Sequence, residues 1–183
     1  MALRIVWGIT GSGDLLPEVV DELQKLSATG KVEITTCLSK AADMVIRWYK
    51  LMEGVQKISK RVLVEYDANT PFIAGPLQIG KYHSLLVAPA TANTVAKIAH
   101  GIADTLITNA VAQAQKGGVP VIILPVDQKL GEKATRLPTG EEKTLIMRDI
   151  DVENVEKLKA MKGITVLETP KDIGRVYSID RDR

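Results

Sequence analysis

Three short segments hold the residues that could do chemistry. The first, Gly8-Ile9-Thr10-Gly11-Ser12-Gly13, joins an apolar run to a helical pattern, and its glycines let a ligand come close to the backbone. Thr10, Gly11, Ser12 and Gly13 precede a helix N-terminus, whose free N–H groups and partial positive charge suit a phosphate. Ser39 stands at a second strand-to-helix junction. The third segment is Pro89-Ala90-Thr91-Ala92-Asn93-Thr94, where short side chains permit close approach and hydroxyls and an amide supply hydrogen bonds. Taken singly, these are a tight turn and two helix starts, with Ser39 a natural cap. Taken together, residues 10–13, 39 and 90–94 fall at the ends of parallel strands and converge on one sheet edge, where open α/β sheets hold cofactors. The set fits a mononucleotide with its phosphate in the first loop and its ring near residues 90–94.

Other nucleotide signatures are missing. The glycine spacing is not the dinucleotide G-x-G-x-x-G, and no Gly-Lys-Ser/Thr follows it. Leu38-Ser39-Lys40 stands where a dinucleotide fold would place a ribose-binding acid.

The elements that position these loops follow from hydrophobic patterning. Residues 3–9, 32–38, 85–88 and 119–126 are apolar runs of strand length, as in a parallel sheet covered on both faces. Leu16, Val19, Val20, Leu23 and Leu26 recur at helical spacing, with Pro17 tolerated in the first turn and Gly30 past the end. Ala42, Val45, Trp48, Tyr49 and Met52 mark a second stripe, and Val95, Ile98, Ile102, Leu106, Ala110 and Val111 a third. Asp104 is expected to cap a new helix after Gly101. A short strand is expected at 62–65, before a loop holding Pro71, Gly75 and Pro76. Residues 127–151 are charged, and Pro138-Thr139-Gly140 reads as the tip of an extended arm or hairpin. A helix at 152–161, a strand at 164–167, a terminal turn or helix at 170–174 and a tail at 177–183 complete the chain. The 183 residues therefore predict one domain of α/β class: a three-layer, doubly wound, mostly parallel sheet of Rossmann-like or flavodoxin-like type with a C-terminal arm.

Composition excludes several functions. Net charge is +2, from 24 basic and 22 acidic residues, so no nucleic-acid or membrane-surface signal is present. The apolar runs are too short for a membrane span, and the N-terminus enters a strand directly, so the protein is expected to be cytoplasmic. One cysteine, Cys37, allows no internal disulfide and no iron–sulfur cluster held by this chain alone. Cys37 is expected to be a small buried hydrophobe. Two histidines, His83 and His100, are too few for an ordinary zinc site; His100 is expected to be structural. Trp7 and Trp48 are expected in the core, and Lys129 and Arg136 as solvated loop cations on the ligand edge. The helix rich in Lys and Glu at 151–162 reads as a solvated face.

Pro89-Ala90-Thr91-Ala92-Asn93-Thr94, followed by Lys97, Gly101, Ala103 and Asp104, resembles the signature of the homo-oligomeric flavin-containing decarboxylase family. Gly8-Ile9-Thr10-Gly11-Ser12 and Leu38-Ser39-Lys40-Ala41-Ala42 resemble that family's other two flavin loops, in the same order. The last third, with Leu137-Pro138-Thr139-Gly140, is similar to the branch of archaeoflavoproteins and dihydromethanopterin-reductase-like flavoproteins. The resemblance implies bound FMN, with Thr10, Gly11, Ser12, Gly13 and Ser39 at the phosphate and ribityl chain. It places Ala90, Thr91, Asn93 and Thr94 along the isoalloxazine ring. It also implies a homo-oligomer, a trimer or a multiple of trimers, with flavin near a subunit interface.

The departures narrow the activity. Gly75 stands where the cysteine decarboxylases of the family carry a catalytic histidine, and no cysteine stands in the C-terminal part. Decarboxylation of a cysteine substrate is therefore not expected. A flavin scaffold without a dedicated acid or base suits electron or hydride transfer. The leading expectation is an FMN-binding oxidoreductase or electron-transfer flavoprotein that takes electrons from ferredoxin or NAD(P)H. Its acceptor would be a small molecule, with dihydromethanopterin as the one the branch suggests. Two alternatives stand beside it: a group-transfer enzyme like the flavin prenyltransferases, and a non-enzymatic flavin-binding subunit.

Overall fold

The computed structural model describes residues 2–179. The chain builds six parallel strands in one sheet: β1 (Leu3–Ile9), β2 (Val32–Leu38), β3 (Ser59–Val64), β4 (Ser84–Ala90), β5 (Val121–Pro125) and β8 (Ile164–Val166). Their spatial order is β3-β2-β1-β4-β5-β8. The chain moves outward from β1 through β2 to β3, then crosses back to β4 on the other side of β1. The β1/β4 boundary is therefore the topological switch point, where a crevice opens at the carboxyl ends of the strands.

Strands buried on both faces explain the continuous apolar runs. Every residue of β4 and β5 is buried. Ile5, Trp7 and Ile9 alternate toward one core, with Leu16, Leu23, Ile46, Val55 and Ile173. Val6, Cys37 and Val87 face the other, with Leu77, Ile98, Leu106, Ala110 and Leu158. The first core is closed by α1 (Leu16–Ala28), α2 (Lys40–Trp48), α3 (Met52–Ile58) and α8 (Asp172–Ile179). The second is closed by α4 (Ala74–Gln78), α5 (Ala92–Ala99), α6 (Leu106–Lys116) and α7 (Asp149–Lys159). The expected three-layer, doubly wound Rossmann-like architecture is what the chain adopts.

The charged segment forms an antiparallel hairpin, β6 (Gly131–Arg136) and β7 (Glu142–Met147), with residues 138–140 in its turn as expected. It folds back on the body. Lys133 Nζ pairs with Asp14 Oδ2 at 2.5 Å, Thr135 Oγ1 donates to Asp14 Oδ1 at 3.3 Å, and Tyr49 Oη donates to the Arg136 carbonyl at 2.8 Å.

Several expectations need correction. Thr105, not Asp104, caps α6: Thr105 and Thr108 exchange side-chain and backbone hydrogen bonds in a capping box. Asp104 instead pairs with Lys97. Trp48 is exposed because it ends α2 on the rim of a cleft beneath the hairpin, whereas Trp7 is fully buried and donates Nε1–H to the Ala88 carbonyl at 2.7 Å. Tyr177 does not begin a frayed tail. It lies in α8, buried, with its hydroxyl 2.9 Å from Ser84 Oγ; the rest of that expected tail, from residue 180 on, lies outside the described residues. Among the described residues, no helix is long and apolar enough to cross a membrane and no His/Cys/Asp/Glu group could hold a metal ion.

Candidate functional site

Thr10 is the hinge pin of the crevice. It is buried at the end of β1. Its Oγ1 donates to the Pro89 carbonyl at 2.8 Å and accepts the Thr91 N–H at 2.9 Å. A single hydroxyl thus ties the loop after β1 to the turn after β4, the two strands that flank the switch point. The β2 junction is tied in the same way: the Ser39 N–H donates to the Ile9 carbonyl at 3.0 Å. Ser39 Oγ accepts the Ala42 N–H at 3.0 Å and caps α2, as expected. Thr91 caps α5, with its Oγ1 accepting the Thr94 N–H at 3.3 Å.

Between these caps lies a cleft of about 590 Å³. Thr10, Gly11, Ser39, Thr91, Asn93 and Thr94 line it. Ser12, Gly13 and Ala90 do not. The Ser12 N–H closes on the Thr10 carbonyl at 2.8 Å and its Oγ accepts the Asp14 N–H at 3.1 Å, so this part of the loop bonds to itself. Gly13 lines the neighbouring cleft under the hairpin, with Trp48 and Arg136. Ala90 is fully buried and its carbonyl accepts the Val126 N–H at 3.0 Å.

Both loop glycines lie in close packing, and Gly11 has no flexible neighbour that could give way. A Cβ on Gly11 would run into Ala41 Cβ in the first turn of α2, and one on Gly13 into the Tyr49 ring. The first loop therefore lies flush against α2, which brings its backbone to the N-terminus of that helix.

The far wall of the cleft was not expected from the sequence. It consists of Glu65, Asp67 and Ala68 after β3, and of Asp104, Thr105 and Ile107 at the start of α6; Lys40 and Ala41 complete the α2 side. Asn109 Nδ2 holds the 65–70 loop in place by donating to the Ala68 carbonyl at 2.8 Å and to Asn69 Oδ1 at 3.0 Å. The Asn69 N–H, donating to Asp67, holds that carboxyl below its ordinary value. The hydrogen bond from Lys97 does the same for Asp104. Glu65 carries no local pattern that marks it in the sequence, and Asp104, part of the signature, reads there as a helix cap rather than as cleft wall; only the crossover geometry brings the two together at the switch point.

The remaining candidates lie elsewhere. Lys129 lines a cleft beside the hairpin base, and Arg136 the one under the hairpin. His100 joins α5 to α7, with Nε2 3.1 Å from Asn154 Oδ1 and Nδ1 3.4 Å from Lys157 Nζ, the structural role expected. Gly75 lies in α4 with the Phe72 ring seated over it. Cys37 is buried in β2, and desolvation pushes its thiol up to about 12. A larger cleft of about 710 Å³ opens at the opposite sheet edge, beside Arg4, Tyr82 and His83. It lies at the amino ends of the strands, away from the crevice where such sheets hold ligands.

Known proteins resemble this chain in sequence and fold. The chain is 55% identical over 174 residues to the protein MJ0730 of Methanocaldococcus jannaschii, covering 95% of this chain and 94% of that one. It is 41% identical over 148 residues to the dihydromethanopterin reductase (acceptor) of the same organism, covering 77% of this chain and 60% of the relative. Among solved structures, Burkholderia xenovorans DmrB in complex with FMN, described as a cubic protein cage for redox transfer, superposes with a TM-score of 0.80 at 34% identity over 97% of this chain and 94% of that one. Residues 1–180 match the Flavoprotein family, so this chain belongs to the family that its three loops predict.

Proposed function

We propose that the protein is an FMN-dependent oxidoreductase that passes electrons to a small acceptor of the reduced-pterin class. The observation that carries this reading is the switch-point cleft, where Thr10, Gly11, Ser39, Thr91, Asn93 and Thr94 meet. The residues present fit the group. The volume suits a mononucleotide, Gly11 has no Cβ where its backbone lies against α2, and hydroxyls crowd the three helix starts. Bound FMN supplies hydride and electron transfer.

The chain's own residues bind and orient. The backbone of Thr10 and Gly11 and the Ser39 hydroxyl hold the phosphate and ribityl end, where the dipole of α2 favours an anion; Ser12 and Gly13, which lie outside the cleft, only shape the loop. Thr91, Asn93 and Thr94 hold the ring end, with the exposed amide of Asn93 free to reach a ring heteroatom, and buried Ala90 anchors their turn to β5. Similarity to a dihydromethanopterin reductase and to an FMN-bound redox cage supports both the cofactor and the acceptor class. The donor is ferredoxin or NAD(P)H, and assembly is as a trimer or a multiple of trimers. Prenyl transfer has less support, because a second phosphate would meet Glu65, Asp67 and Asp104 with Lys40 the lone cation of the lining.

Anaerobic titration of the flavin-loaded protein tests the reading. Bleaching of the flavin by reduced ferredoxin or by NADPH, and return of its colour on addition of a dihydropterin acceptor, is the expected result. No flavin binding on reconstitution overturns it. Binding without reduction by either donor moves the protein to the regulatory or prenyl-transfer class, and a mass gain on the flavin with dimethylallyl phosphate separates those two.

A further inference from the structure

The cleft contains one carboxylate that joins two helices. Glu65 follows β3 at the sheet edge, and its side chain is half-buried. Oε2 accepts the N–H of Lys40, the first residue of α2, at 3.0 Å. Oε1 accepts the N–H of Leu106, the first residue of α6, at 2.8 Å. These helices lie on opposite faces of the sheet, and their amino ends meet at the cleft one carboxylate's width apart. Ser39 and Thr105 bond to donors further into the same first turns, so Glu65 satisfies two N–H groups that the caps leave over. Both bonds are charge-assisted, and both helix dipoles favour the negative charge.

We propose that Glu65 is a positioning residue with a second, electrostatic role. As a strut it sets the spacing between the Ser39 and Thr105 walls of the cleft. As a fixed negative charge in the lining it opposes the extra electron density of a reduced flavin, and so holds the bound cofactor at low potential. This rests on the FMN reading above.

Three proteins test it by two readouts, FMN affinity from fluorescence quenching and midpoint potential from dye equilibration, with thermal unfolding confirming that each is folded. Glu65→Gln removes the charge and can accept only one of the two bonds. It should bind reduced FMN about tenfold more favourably relative to oxidised FMN than the wild type does, an upward shift of about 30 mV for the two-electron couple. Glu65→Asp keeps the charge on a shorter arm. It should weaken FMN binding in both oxidation states about equally and leave the potential near that of the wild type. Unchanged affinity and potential in both variants overturns the proposal. A shift in Glu65→Asp as large as in Glu65→Gln overturns the electrostatic part, because charge is then irrelevant. Absence of FMN binding by the wild-type protein is a failure of the functional reading instead, and the first titration shows it.

Discussion

Thr10 Oγ1 and the Pro89 carbonyl oxygen lie 2.8 Å apart across the switch point, and the same hydroxyl takes the Thr91 N–H. Thr10→Val keeps the shape and removes both bonds. It strands the Thr91 N–H and costs about 1–3 kcal/mol, read by chemical denaturation. FMN affinity should fall with it, since the turn that follows β4 loses its anchor. Thr10→Ser should restore most of both.

Gly11→Ala places a methyl group against Ala41 Cβ and must push the first loop off α2. FMN affinity is expected to fall at least about tenfold, as for a site displaced by a fraction of its working tolerance. The double variant Gly11→Ala/Ala41→Gly should recover affinity, because it moves the methyl group from one side of the contact to the other. Fluorescence titration of the three proteins measures this.

Asn93→Ala alters an exposed side chain in the lining, so its effect on stability should stay within about 0.5 kcal/mol. Flavin affinity and midpoint potential should both change if the amide meets the ring. Unchanged values of both would remove Asn93 from the site.

Asp127, beside the end of β5, is pushed above its ordinary value by desolvation, opposed by Lys133 and reinforced by Asp151 and Asp14. A carboxyl raised in the folded state binds more protons there than in the unfolded chain between the ordinary value and the raised one. Its contribution to stability therefore falls as pH rises through that window. Asp127→Asn should thus be more stable than wild type at neutral pH, and the difference should vanish below the ordinary carboxylate value. Urea melts from pH 3 to 7 check the sign.

Cys37 is buried in β2 and its thiol is pushed up to about 12. The folded protein should resist thiol reagents at mildly alkaline pH, because the thiolate is the nucleophile. Labelling should appear only with denaturant, at the rate of unfolding, as mass spectrometry would show.

Much of this molecule is legible along the chain because its signals are local. Buried strands such as β4 and β5 read as unbroken apolar runs, since both faces of a parallel sheet are covered. Ser39 and the Thr91–Thr94 turn announce helix starts because a cap bonds within its own first turn. Residues 138–140 announce a hairpin turn for a similar reason. Errors appear where neighbours along the chain do not decide. Trp48 has the spacing of a core residue, yet α2 ends at a cleft and leaves it exposed. Tyr177 looks terminal, yet a hydroxyl from β4 reaches it.

The three strand-to-helix junctions after β1, β2 and β4 were determined by sequence alone, because each is marked by local glycines or caps and parallel strands end on one edge. The composition of the opposite wall was decided only by tertiary structure. Glu65 and Leu106 are 41 positions apart, and nothing near either one predicts the bond between them. It exists because β3 ends and α6 begins at the same crevice, on crossovers that run to opposite sides of β1, and a helix N-terminus draws whatever anion the fold delivers there.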